Sequence, residues 1–167
     1  MTQARNWLKA RAPGFNNLSK KEQDAITDFS LLWGFFESRI LDTNGSARAI
    51  CDAIETWHAT GILDPGLFDA ELAYFKQRYC PNGGFSDHFE RLRLQRPDKA
   101  PMVRDVLDGT ETAPRETVAA VLTIIYRYRN NLFHGVKWGY ELADQLHNFT
   151  HANNALMKAL DRYGELG

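Results

Sequence analysis

The stretch "YRYRNNLFHG", residues 126–135, gathers two arginines, two asparagines, a histidine and a glycine behind a long apolar run, "TVAAVLTIIY". Arg129 offers a permanent cation whose forked donors match a phosphate. A histidine side chain ordinarily titrates near 6.5, so His134 is able to give or take a proton close to neutrality. The Asn130 amide is suited to orient a phosphate oxygen or the imidazole. Together these types fit proton transfer beside a stabilised phosphate. They also fit a plain helix C-terminus. Arg127 and Arg129 are then cations near the last turn, His134 is a turn residue packed by Phe133, and Gly135 is the stop.

The elements that would carry these residues read as helices from end to end, with almost no strand signal. Residues 3–11 form a short helix closed by "APG". Ser19 and Glu22 make a capping box that opens a long helix through about Leu41. Ser46 caps another, running to Gly61. "DPG" at 64–66 starts a fourth, "LFDAELAYFKQRYC", which stops at "PNGG". A shorter helix at roughly 86–95 and a brief one in "PDKAPMVRDVLDG" follow. Thr112 and Pro114 then begin the run that ends in the polar cluster. "VKWGYELADQLHNFTHANNALMKALDRYG" gives a long last helix, with Gly139 as a weak point near its start. Apolar residues recur at three- and four-residue steps, as in Phe29, Trp33, Phe36 and Ile40, and again in Leu142, Leu146, Phe149, Leu156 and Leu160. The expectation is an all-α multi-helix bundle with long antiparallel helices, in one domain spanning 1–167.

With its place between two long late helices, "RNNLFHG" resembles the Arg-Asn-x-x-x-His signature of the HEPN superfamily, helical nuclease and nucleotide-binding domains of toxin–antitoxin and antiphage systems. The resemblance is specific over about these seven residues. It implies an HEPN-like fold and carries the family's Arg, polar residue and His onto Arg129, Asn130 and His134. It implies metal-independent cleavage of RNA, with no cofactor, by a homodimer whose two motifs face each other. An antitoxin protein is a further partner in such systems. Asn131 and Phe133 fall in variable positions. The chemistry suits the residues: a 2′-hydroxyl must be activated, phosphate charge stabilised and the 5′-oxygen protonated. Arg129 fits the electrostatic part and His134 the proton transfer. The substrate so implied is RNA, because DNA lacks the 2′-hydroxyl. Five helical steps turn about 500°, which sets Arg129 and His134 roughly 140° apart around the axis. Either the helix breaks near Gly135, or the working site combines two chains.

Other residues bear on the same question. Glu37 shares a face with Trp33 and Ile40 in a very apolar helix, where an unpaired carboxylate is costly. It is a candidate to pair with Arg129 or Arg127 and support the site, or to pair with Arg39 as a structural ion. Arg127 and Lys137 flank the motif as candidate RNA-phosphate contacts, and Trp138 and Tyr140 are able to stack bases or to join the core. Arg91, Arg93, Arg96, Lys99 and Arg104 form the other basic concentration, either an RNA-backbone groove or a solvated helix and loop. His147 and His151 stand four apart with Asp144 a turn earlier. No catalytic glutamate or completing cluster accompanies them, so no metal is expected.

The bulk properties narrow the field. A net charge of −1 over 167 residues gives no broad basic field for nucleic acid, so any polyanion must be held locally. Cys51 and Cys80 lack metal-type spacing and fit thiols in a reducing compartment. The N-terminal "MTQARNWLKARAPG" lacks an apolar signal region, and no run reaches membrane-spanning length. A cytoplasmic protein is expected. Glycine-rich phosphate loops, nucleophile elbows and Cys-His zinc patterns are missing from the sequence. Three readings therefore stand: an endoribonuclease in toxin or antiphage defence, a non-catalytic nucleotide- or RNA-binding or assembly module, and a helical scaffold.

Overall fold

The computed structural model describes residues 2–135, 142 and 144–167. Among them the protein is all-α, with eight helices and no strand: α1 (Gln3–Arg11), α2 (Lys20–Ile40), α3 (Ala47–Ala59), α4 (Asp69–Tyr79), α5 (Asp87–Glu90), α6 (Ala100–Asp108), α7 (Pro114–Phe133) and α8 (Leu146–Tyr163). Local chemistry sets most of the starts. Ser19 Oγ accepts the Glu22 N–H at 3.2 Å while the Glu22 carboxylate accepts the Ser19 N–H at 2.8 Å, which opens α2. Ser46 Oγ accepts the Ala49 N–H at 3.1 Å and opens α3. Pro114 takes the first position of α7, where its missing N–H costs nothing.

Three expected boundaries move. α4 begins at Asp69, after a turn through Pro65–Phe68. α5 is a single turn instead of the helix expected over 86–95, because Arg93 adopts φ 52° and Pro97 follows. α8 starts only at Leu146; Asp144, at φ 60°, stands outside it with Leu142 and Gln145.

The bundle is built on two seams. α2 packs along α8, and α7 packs between α3 and α6. On the first seam the Phe29 ring lies 5.0 Å from that of Phe149, and Asn153 Nδ2 donates to the Ala25 carbonyl at 3.1 Å. Trp57 stacks on Tyr163 at 3.8 Å, tying the end of α3 to the end of α8. α7 is the most enclosed helix: Val118 to Ile125 is buried without a break, and Tyr128 is buried beyond it. Each large apolar side chain so enclosed contributes about 1.5–3 kcal/mol, so the axis of α7 is held firmly where its polar end emerges. No helix among the described residues is long and apolar enough to cross a membrane.

Candidate functional site

α7 runs helically through Phe133 and then stops. His134 is its C-cap, at φ −85° and ψ 12°, and its N–H donates to the Asn130 carbonyl at 2.9 Å. Gly135 follows at φ 73°, a left-handed position that favours glycine. The helix does break at Gly135, as one of the two sequence alternatives requires. The break comes too late to swing His134 round, however. Its φ is still near helical, so its Cα–Cβ bond leaves the last turn about where a helical residue's would, roughly 140° from Arg129. No hydrogen bond joins the side chains of Arg129 and His134 among the described residues.

Arg129 is half-buried. Its Nη1 donates to Asn130 Oδ1 at 3.0 Å, and its guanidinium carbon lies 5.5 Å from the centre of the Phe133 ring. Its Nε is buried with no hydrogen-bond partner, and no carboxylate pairs with it among the described residues. Asn130 is itself buried, so the amide that orients the guanidinium is held by its surroundings. His134 is exposed and Phe133 is 56% exposed. Among the described residues the end of α7 therefore presents an oriented cation without a paired carboxylate, an accessible imidazole and an uncovered aromatic ring. Such a set is able to neutralise a phosphate and exchange a proton with solvent or substrate.

Arg127, named from the sequence as a candidate phosphate contact, is placed quite differently. Its side chain is 9% exposed and forms an ion pair with Asp98, itself 4% exposed, at 3.3 Å. Its Nε donates to the Leu92 carbonyl at 3.0 Å and its Nη2 to Asn131 Oδ1 at 3.4 Å. Asn131 Nδ2 in turn donates toward the Arg91 and Leu92 carbonyls at 3.3 and 3.2 Å. Arg127 and Asn131, one helical turn apart, thus fasten the irregular 91–98 segment onto α7. Two arginines separated by a single residue face opposite ways, one into the protein and one to its edge.

Glu37 does not reach either arginine. Its carboxylate accepts Trp33 Nε1–H at 2.6 Å and the Gly45 N–H at 3.2 Å, bracing the turn between α2 and α3. Arg39, its other suggested partner, instead donates to the carbonyls of Gly164 and Glu165. His151 stacks on Tyr74 at 4.0 Å, and burial pushes its imidazole below the ordinary histidine range. His147 is exposed, and Asp144 stands outside α8, so the three do not share a helical face. Arg91, Arg93, Arg96, Lys99 and Arg104 are exposed, with the Arg104 guanidinium 4.1 Å above the Phe85 ring. Lys137, Trp138 and Tyr140 lie outside the described residues. Cys51 and Cys80 are both free thiols. Compared with protein-family models, curated proteins and solved structures, the chain finds no match.

Proposed function

We propose that the protein is a metal-independent endoribonuclease of the HEPN type, acting as a homodimer with Arg129 and His134 catalytic and Asn130 positioning Arg129. The observation that carries this reading is Arg129 itself: a half-buried guanidinium oriented by Asn130, with a buried Nε and no carboxylate paired with it among the described residues. A cation held this way is prepared for an anion from outside. The 2′-hydroxyl of the substrate attacks its own phosphorus while the bond to the 5′-oxygen breaks. The 2′-oxygen gives up its proton and the 5′-oxygen takes one; His134 serves one of these transfers and water the other, while Arg129 stabilises the charge on the phosphate. The products are a 2′,3′-cyclic phosphate and a free 5′-hydroxyl.

The separation of Arg129 and His134 on one helix end favours a composite cleft, in which Arg129 of one chain works with His134 of a second copy. Phe133, exposed next to both, is an apolar side chain that such a copy would cover. The resemblance of "RNNLFHG" extends the reading to toxin or antiphage defence, with an antitoxin protein as the natural restraint. Expression of the wild-type chain is then expected to arrest growth, and expression of His134→Ala to leave growth normal. The competing reading is a non-catalytic nucleotide- or RNA-binding module. It is favoured by a wild-type chain that binds RNA without cleaving it and keeps that binding in both Arg129→Ala and His134→Ala.

A further inference from the structure

The irregular segment between α5 and α6 turns its one carboxylate inward. Asp98 is 4% exposed and pairs with Arg127 at 3.3 Å, and its Oδ2 also accepts the Gln95 N–H at 2.6 Å. The Gln95 side chain closes back on the Arg93 carbonyl at 2.9 Å, and Pro97 fixes the backbone just before Asp98. What this arrangement leaves outside is positive. Arg93, Arg96 and Lys99, at three-residue steps, are all exposed. Arg104 joins them at the head of the segment, its guanidinium 5.0 Å over the Phe89 ring. We propose that Arg93, Arg96, Lys99 and Arg104 form a second contact surface for RNA, one that holds its phosphate backbone away from the Arg129–His134 end. That the polyanion is RNA rests on the nuclease reading; that the surface takes a phosphate backbone does not.

Three features support that assignment. The first is charge. None of the four cations forms an ion pair among the described residues. Asp98 is neutralised by Arg127, and Glu90 and Asp105, at either end in sequence, pair with none of them. Lys99 is the most compensated of the four, because it shares a cavity with Glu116 and the Arg115–Glu55 pair. The second is shape. Arg93 and Lys99 both adopt φ 52°, a left-handed conformation that glycine or asparagine takes more easily, yet both positions carry a cation. Arg127 Nε and Asn131 Nδ2 hold the Leu92 carbonyl from α7 at 3.0 and 3.2 Å. The cations therefore project from a backbone already fixed, which lowers the ordering cost of binding. The third is what is missing between them. The exposed residues separating these cations are Gln95 and Pro97, while Leu94 is only half-exposed. A protein partner needs an aromatic or aliphatic anchor and a membrane surface needs an apolar face; a phosphate backbone needs neither. Because Arg127 and Arg129 face opposite ways, the surface lies round α7 from Arg129, and only an RNA extending beyond the cleft reaches both.

The experiment reads binding and not cleavage: fluorescence anisotropy of the full chain with a labelled 2′-O-methyl RNA of about 20 nucleotides, over a salt series. The methyl group blocks attack by the 2′-oxygen, so the readout does not depend on nuclease activity. Wild type is expected to bind with an affinity that falls steeply as salt rises. The triple variant Arg93→Gln, Arg96→Gln, Arg104→Gln is expected to bind roughly tenfold or more weaker at low salt, with the slope of log K against log salt reduced by about 2. Arg93→Gln and Arg96→Gln alone each reduce it by about 0.7, which keeps the test open should the triple variant not fold, as judged by circular dichroism. Polyglutamate of matched charge is expected to bind much more weakly than the RNA. These losses together with no cleavage of ordinary RNA would uphold the surface and remove the nuclease reading. No salt-dependent binding by wild type, or an unchanged slope in the folded variants, overturns the proposal. Polyglutamate binding as tightly as the RNA, with the same losses in the variants, assigns the surface to an acidic protein and overturns it equally.

Discussion

Arg127 and Arg129 are the same residue type two positions apart, and replacing each is expected to do opposite things. Arg127→Ala leaves Asp98 buried without its cation and releases the 91–98 segment, so it is expected to cost about 3–5 kcal/mol of stability. Urea unfolding measures this directly, and a variant as stable as wild type would refute the structural role. Arg129→Ala strands no acid among the described residues and is expected to cost about 1 kcal/mol or less while abolishing the proposed cleavage. Nothing in "YRYRNN" distinguishes the two. The distinction lies in Asp98, which sits in sequence within a basic stretch and gives no local sign of its partner. Phe133 and Asn131 were likewise unreadable as the ring under Arg129 and the clasp on the 91–98 segment, because both roles depend on packing. His88 adds a pH effect. Burial, then Arg78 and Arg91, hold its imidazole below the ordinary value, so the unfolded chain binds more protons in the window between the two. Its contribution to stability is therefore full above about 6.5 and declines as pH falls from there toward the lower folded value. His151 acts in the same direction through burial. Urea midpoints taken at about pH 7.5 and 5 should differ less in His88→Gln than in wild type.

At the scale of elements, the sequence was most legible where a helix start depends on a few neighbouring atoms. The capping box of Ser19 and Glu22 and the Ser46 cap were visible because side chain and backbone donor are three residues apart. Ser19→Ala is expected to lower stability by about 1 kcal/mol, seen as a fall in the thermal midpoint. The start of α8 was illegible for a different reason. Leu142 continues the apolar period of that helix and is buried, yet it lies outside the helix. Periodicity reports burial, and a buried residue need not be helical. The end of α7 was legible through Gly135, whose φ of 73° strains any other side chain. Gly135→Ala is expected to cost about 1 kcal/mol by the same unfolding measurement. What the glycine could not reveal is that the break comes after His134 has already been aimed away from Arg129.

For the whole molecule, a bundle with a net charge of −1 has no long-range pull on a polyanion, so the proposed RNA recognition has to rest on local groups. A dimer with composite clefts makes a sharp statement about mixed subunits. When Arg129→Ala and His134→Ala chains are combined at random, half the dimers are mixed and each regains one of two sites. About a quarter of wild-type activity is expected from two variants that are inactive alone. Complete inactivity of a mixture shown to exchange subunits contradicts the composite cleft while leaving a single-chain nuclease open. The most direct test of the central claim is to incubate wild-type protein and His134→Ala with end-labelled transfer RNA and mixed RNA in the presence of chelator. The proposal predicts cleavage by wild type alone, leaving 2′,3′-cyclic phosphate ends. Equal cleavage by both proteins, or none by either, contradicts it.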